Sequence, residues 1–98
     1  MSIRVTRSTE FIKWFDSLTL RDQVIIDARI ARIEMFEHFG DCKYLGEGLA
    51  ELRWKNGFRV YFLKLNGEII LLLIGGLKNA QSKDIKKARI LLQKYAII

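Results

Sequence analysis

A chain of 98 residues, half of them apolar and 29% charged, with no proline, has the composition of a single folded domain and excludes a disordered or low-complexity chain. Its 17 Lys and Arg against 11 Asp and Glu leave a net charge of +6, which points to a polyanionic or an acidic protein partner, with plain solubility as the bland alternative. The longest apolar run, Ile69 to Ile74, is too short to cross a bilayer, and the start of the chain is charged rather than an apolar signal. The single cysteine, Cys42, has no intrachain partner, so the expectation is one cytoplasmic domain over residues 1–98.

In chain order, SIRVTRS alternates Ile3 and Val5 with Arg4 and Thr6, the pattern of a short strand. STEFIKWFDSL follows, with Ser8 or Thr9 as N-cap and Phe11, Trp14, Phe15 and Leu18 at helical spacing. In TLRDQVIIDARIARIEMFEHFGD, Thr19 and Asp22 form a variant capping box. Val24, Ala28, Ala31 and Met35 recur at intervals of 4, 3 and 4, and Ile25, Ile33 and Phe36 widen the stripe. That stripe is expected to face the core, and Gly40 stands where a helix C′ glycine belongs. His38, the one histidine, reads as a residue of the helix end rather than as a catalyst. Two helices so shortly connected form a hairpin that must bury its apolar face on the rest of the chain.

ELRWKNGFRVYFLKLNG reads as a β-hairpin. A two-residue Asn56-Gly57 turn pairs Trp54 with Arg59 and Arg53 with Val60, mixing charge and bulk on each face. A three-residue Lys55-Asn56-Gly57 loop, with Gly57 left-handed, pairs Trp54 with Phe58, Leu52 with Val60 and Ala50 with Phe62 on one face. The other face then carries Arg53 beside Arg59 and Glu51 beside Tyr61. A one-residue slip swaps the faces, so this segregation favours the three-residue loop. On that register the arginines oppose each other on the solvent side, where truncating one is expected to leave the fold untouched. Like charges so placed repel unless neutralised, by Glu51 from within or by a phosphate from outside.

EIILLLIGG, entered through the Asn66-Gly67 turn, is apolar on both faces and reads as a central strand. A loop and a last helix follow, with Ile85, Ala88, Leu92 and Tyr95 on one face and Ile98 near the end. Lys83, Lys86 and Lys87 lie in the first turns of that helix. With Lys78 they form either a solvated lysine face or an anion site at the free N–H groups of the helix start. No Asp, His or Cys cluster has metal-ligand spacing, and Gly75-Gly76 with Lys78 lacks the spacing of a P-loop.

Three motifs stand in residues 45–88: Gly48-x-x-Glu51-Leu52-Arg53, Gly57-Phe58-Arg59-Val60-Tyr61-Phe62, and Gly76-x-Lys78-x-x-Gln81-x-x-Asp84-Ile85. Together they closely resemble the RelE/ParE superfamily of toxins from type II toxin–antitoxin modules, in particular its HigB-like "addiction module killer protein" branch. The resemblance implies an α+β fold: a small antiparallel sheet with an N-terminal helical hairpin packed on one face and a C-terminal helix. It also implies cleavage of mRNA on the translating ribosome and neutralisation by a cognate antitoxin protein, with no metal, cofactor or membrane involved. Arg59 matches the arginine with which relatives hold the scissile phosphate, Lys78 matches a basic position of the same site, and Arg53 matches a basic position on the preceding strand.

The departures matter too. The paired lysines of the RelE type fall at Leu49 and Glu51, its late tyrosine falls near Ile85, and no histidine sits near the C-terminus. The acid and base are therefore not assigned by resemblance. Cleavage by the RNA's own 2′-OH needs a base, cations on the phosphate and an acid for the 5′-oxygen. The expected catalytic set is Arg59, Arg53, Lys78 and Glu51, with Glu51 either the base or only the counter-ion of the arginines. Tyr61 either contacts RNA or packs in the sheet, and Lys55, Gln81, Lys86 and Lys87 complete the expected RNA-contacting set. The alternative reading is a ParE-like poison that binds a topoisomerase and cuts nothing; a weaker third is a degenerate toxin that only binds its partner or operator.

Overall fold

The computed structural model describes residues 3–96; Ile98, placed by its spacing on the last helix, lies outside them. The elements run β1 (Arg4–Arg7), α1 (Thr9–Asp16), α2 (Leu20–Phe36), β2 (Cys42–Gly46), β3 (Leu49–Arg53), β4 (Phe58–Lys64), β5 (Ile69–Leu77), a 3₁₀ turn (Lys78–Ala80) and α3 (Gln81–Ala96). The strands form one sheet in the order β1-β5-β4-β3-β2, antiparallel except where β1 runs parallel to β5. β2 is an edge strand whose mostly exposed residues carry no apolar alternation, which hides it from the sequence. Among the described residues no helix is long and apolar enough to cross a membrane.

Both helix starts are capped as their residue types demand. Ser8 Oγ accepts from Phe11 N at 2.9 Å and donates to Leu73 O at 2.8 Å, tying α1 to the sheet. Thr19 Oγ1 accepts from Asp22 N at 3.2 Å. The end of α2 comes earlier than the Gly40 signal suggests: Glu37 is the C-cap, in the left-handed region at φ 55°. Gly40, also left-handed at φ 71°, belongs instead to the loop that follows and lies against Arg29. That arginine donates from Nε and Nη2 to Phe39 O (3.1 and 2.8 Å), from Nη2 to Asp41 O (2.7 Å) and from Nη1 to Arg53 O, while its guanidinium covers the Trp54 ring.

α1 and α2 cover one face of the sheet, where Phe11, Ile26, Ile30 and Ile33 meet Leu52, Val60, Phe62 and Leu72. The expected inward stripe of α2 is wrong. Val24 is 60% and Met35 70% exposed, and Ala28 and Ala31 also face out. Ile33, at the margin of the expected stripe, does point inward, together with Ile26 and Ile30, which the expectation left out. The helix carries two apolar stripes on opposite sides, and the sheet takes the one built of isoleucines.

α3 covers the second face, placing Ala88 and Leu91 over Leu49, Tyr61, Leu63, Leu71 and Leu73. Ile85, Leu92 and Tyr95 of the expected stripe flank that core. Covering both faces suits β5, which has no polar side to give to water, and it buries β4 on both sides as well. One irregularity positions the site: the β4–β5 register shifts between Tyr61↔Ile74 and Phe62↔Leu72, so Leu73 is an extra residue. Such a bulge inverts the in–out alternation beyond it. Gly75 then lies under Trp14 and Gly76 under α3.

Candidate functional site

The hairpin closes as the segregated pattern requires. Trp54 N donates to Phe58 O at 3.0 Å, Gly57 N donates to Trp54 O at 3.1 Å, and Gly57 is left-handed at φ 104°. The register pairs Arg53 with Arg59, Leu52 with Val60, Glu51 with Tyr61 and Ala50 with Phe62. The arginine pair thus exists, on the face away from the helical hairpin. That face is not solvent, however. α3 lies on it, Glu51 and Tyr61 are 0% exposed, and Arg59 is 8% exposed. The expectation that Arg59 is a surface group fails because a second apolar layer has to go somewhere, and this is the only sheet face left for it.

Around the pair sits a buried polar network. Gln81 Nε2, at the start of α3, donates to Glu51 Oε2 at 2.5 Å. Arg53 Nε lies 3.5 Å from Glu51 Oε1, an ion pair without hydrogen-bond geometry. Arg59 Nη1 donates to the carbonyls of Trp54 (3.1 Å) and Phe58 (2.9 Å), clamping the hairpin loop. Burial first, and the Glu51 charge second, push the Tyr61 phenol well above its ordinary pKa, so it stays neutral. Among the described residues, four buried polar atoms, Glu51 Oε1, Arg53 Nε, Arg59 Nε and the Tyr61 hydroxyl, have no hydrogen-bond partner. Buried groups left unpaired by the protein are costly unless another partner reaches them.

The remaining expected residues distribute unevenly. Lys78 is exposed and its N–H donates to Gly57 O at 2.8 Å, which holds it at the hairpin loop. Lys55 is exposed on that loop, and Lys86 and Lys87 are exposed on α3. Gln81 is drawn into the network instead of facing outward, and Tyr61 has no surface to offer a base. Glu51 has none to offer a substrate, so in this arrangement it orients Arg53 and Gln81. His38 is exposed at the end of α2.

Asp84 is the residue that reasoning on the sequence passed over. It follows Gln81 by three residues, so both point from the same face of α3. Its carboxylate occupies the space a side chain at Gly76 would need, and Gly76 is the Cα partner of Arg59. Burial raises the Asp84 pKa, against the pull of Lys83 and Lys87. The i, i+3 spacing from Gln81 within the third motif was the available signal.

A cavity of about 490 Å³ lies on the opposite sheet face, lined by Phe39, Cys42, Tyr44, Ala50, Phe62 and Lys64. It is apolar and holds no member of the polar network. Among the described residues no group of three His, Cys, Asp or Glu is placed to hold a metal ion.

No protein-family model matches the chain. It is 40% identical over 100 residues to an uncharacterized protein of Haemophilus influenzae, covering 99% of this chain and 100% of that one. Among solved structures it superposes on a doubly substituted mutant of the Escherichia coli toxin RelE in the free state, with a TM-score of 0.72 at 10% identity over 92% of this chain and 96% of that one. It also superposes on the RelB–RelE antitoxin–toxin complex of Methanococcus jannaschii (TM-score 0.66, 13% identity, 81% of this chain and 96% of that one). A RelBE toxin–antitoxin complex of Mycobacterium tuberculosis gives a TM-score of 0.61 at 12% identity over 79% of this chain and 99% of that one. By sequence the chain belongs to one family with the Haemophilus influenzae protein, and by structure it has the fold of the RelE toxins.

Proposed function

We propose that this protein is the toxin of a type II toxin–antitoxin module, a cytoplasmic endoribonuclease that cuts mRNA on the translating ribosome in the manner of the HigB-like toxins its motifs resemble. The observation that carries this reading is the opposed Arg53–Arg59 pair, kept beside unpaired buried polar atoms, with Lys78 held at the same end of the sheet. Two arginines at directly paired positions of adjacent strands repel unless an anion sits between them or beside them. A phosphate gaining charge in a transition state is what such a pair suits. Glu51, itself bonded by Gln81, is the ion-pair partner of Arg53. Lys55, Lys86 and Lys87 offer exposed charge to the RNA backbone. The RelB-bound neighbours support an antitoxin as the protein partner.

Induction in cells with mapping of mRNA 5′ ends tests the reading. New 5′ ends within coding regions, lost with Arg53→Ala, are expected. Intact mRNA together with stalled replication rejects it in favour of the topoisomerase poison.

A further inference from the structure

The two carboxyls of the site differ in access. Glu51 is 0% exposed, and one of its oxygens is committed to Gln81. Asp84 is only partly buried, so solvent or a substrate reaches it. Among the described residues its carboxylate makes no hydrogen bond and no ion pair, although Lys83 and Lys87 flank it on its own helix. It stands against Gly76, directly across the β4–β5 ladder from Arg59. Any side chain at Gly76 would collide with it, and the extra residue Leu73 turns that glycine toward α3. Bulge, glycine and helix start therefore converge to set one free carboxyl over Gly76, one strand across from the arginine read above as the phosphate holder.

We propose that Asp84 is the proton donor of this site and protonates the departing 5′-oxygen when RNA is cut. The assignment rests on the nuclease reading above. The 2′-oxygen attacks phosphorus, the bond from phosphorus to the 5′-oxygen breaks, and the Asp84 proton goes to that oxygen. The 2′-hydroxyl proton leaves to solvent, and the products are a 2′,3′-cyclic phosphate and a 5′-hydroxyl. Water returns a proton to Asp84 for the next turn. Burial favours the neutral, proton-bearing form. The charged and titratable groups around it are Lys83 and Lys87 on α3, Arg59 and Tyr61 on β4, with Glu51 beyond Tyr61 and Lys78 two residues past Gly76.

The test uses the purified protein and ribosomes translating a reporter mRNA in a cell-free extract. Asp84→Asn keeps the shape and removes the proton, and its cleavage rate should fall by about 10²–10⁴-fold. An mRNA carrying a bridging sulfur in place of the 5′-oxygen at the mapped cut needs no acid, because a thiolate departs unaided. On that substrate the variant should match the unsubstituted protein. Asp84→Ser carries the same pair of assays if the asparagine variant fails to fold. Undiminished cleavage of ordinary mRNA by Asp84→Asn overturns the assignment alone. An equal loss on both substrates overturns it in favour of a structural role. No cleavage by the unsubstituted protein overturns the nuclease reading and the assignment with it.

Discussion

Arg59 serves two purposes at once. Its Nη1 holds the Trp54 and Phe58 carbonyls at the hairpin loop, and its Nε is left unpaired beside Arg53. Arg59→Ala is therefore expected to lower stability by about 2–3 kcal/mol, since hydrogen bonds from a charged donor are lost inside a buried site. This reverses the expectation drawn from the hairpin pattern alone, which placed the side chain in solvent. Arg59→Lys keeps the charge but not the fork, so it should recover only part of the loss. Urea denaturation of both variants checks the claim; an unchanged midpoint in the alanine variant would refute it. Toxicity of Arg59 variants is interpretable only where the variants remain folded. Arg53, with its side chain 35% exposed, is the cleaner probe of function.

At the level of elements, α2 shows how a regular pattern misleads. Its outer stripe is the longer by one residue at the same spacing, and its inner stripe is made of isoleucines. Ile30→Ala should cost about 2–5 kcal/mol, as for other buried large-to-small changes. Met35→Ala should stay within about 0.5 kcal/mol. The reverse order in a denaturation series would put the wrong face of α2 on the sheet. α1 and α3, on opposite faces, are tied at one end of the molecule by Glu10, which accepts from Lys94 Nζ at 2.8 Å and Tyr95 Oη at 2.5 Å. The Lys94 hydrogen bond, then that of Tyr95, holds the Glu10 pKa at about 2 rather than 4.5, against the opposing effect of burial. A carboxyl whose pKa is depressed by folding stabilises the fold above its unfolded pKa and loses that contribution as pH falls through the folded one. The stability gap between the parent and Glu10→Gln should thus be full above pH 4.5 and close as pH falls toward about 2. Denaturation at a series of pH values measures it, and a gap indifferent to pH would count against the tie.

For the whole molecule, the net charge of +6 acts on partners rather than on the fold. On the toxin reading proposed above, association with an antitoxin of opposite charge should be steered by this charge, so its rate should fall as salt is raised over the range where the Debye length shrinks below about 10 Å. Co-expression of an antitoxin encoded beside the gene should, on the same reading, restore growth. Failure of that product to bind, or binding indifferent to salt, would remove the electrostatic argument.

The elements written in local pattern were legible without the structure. The α1 and α2 caps depend on Ser8 and Thr19 alone, and the hairpin register depends on Gly57 and on apolar alternation over a few residues. Sequence by itself therefore determined the order of the major elements, the three-residue loop and the pairing of Arg53 with Arg59, because each is a contest among neighbours along the chain. Only the tertiary structure decided which stripe of α2 is buried, that Arg59 is buried while Arg53 stays partly exposed, and that Glu51 is sealed while Asp84 is not. Those outcomes depend on area removed from water between elements far apart in the chain. They depend also on one extra residue, Leu73, whose effect on which way Gly76 faces is felt only once β5 is laid against β4 and α3.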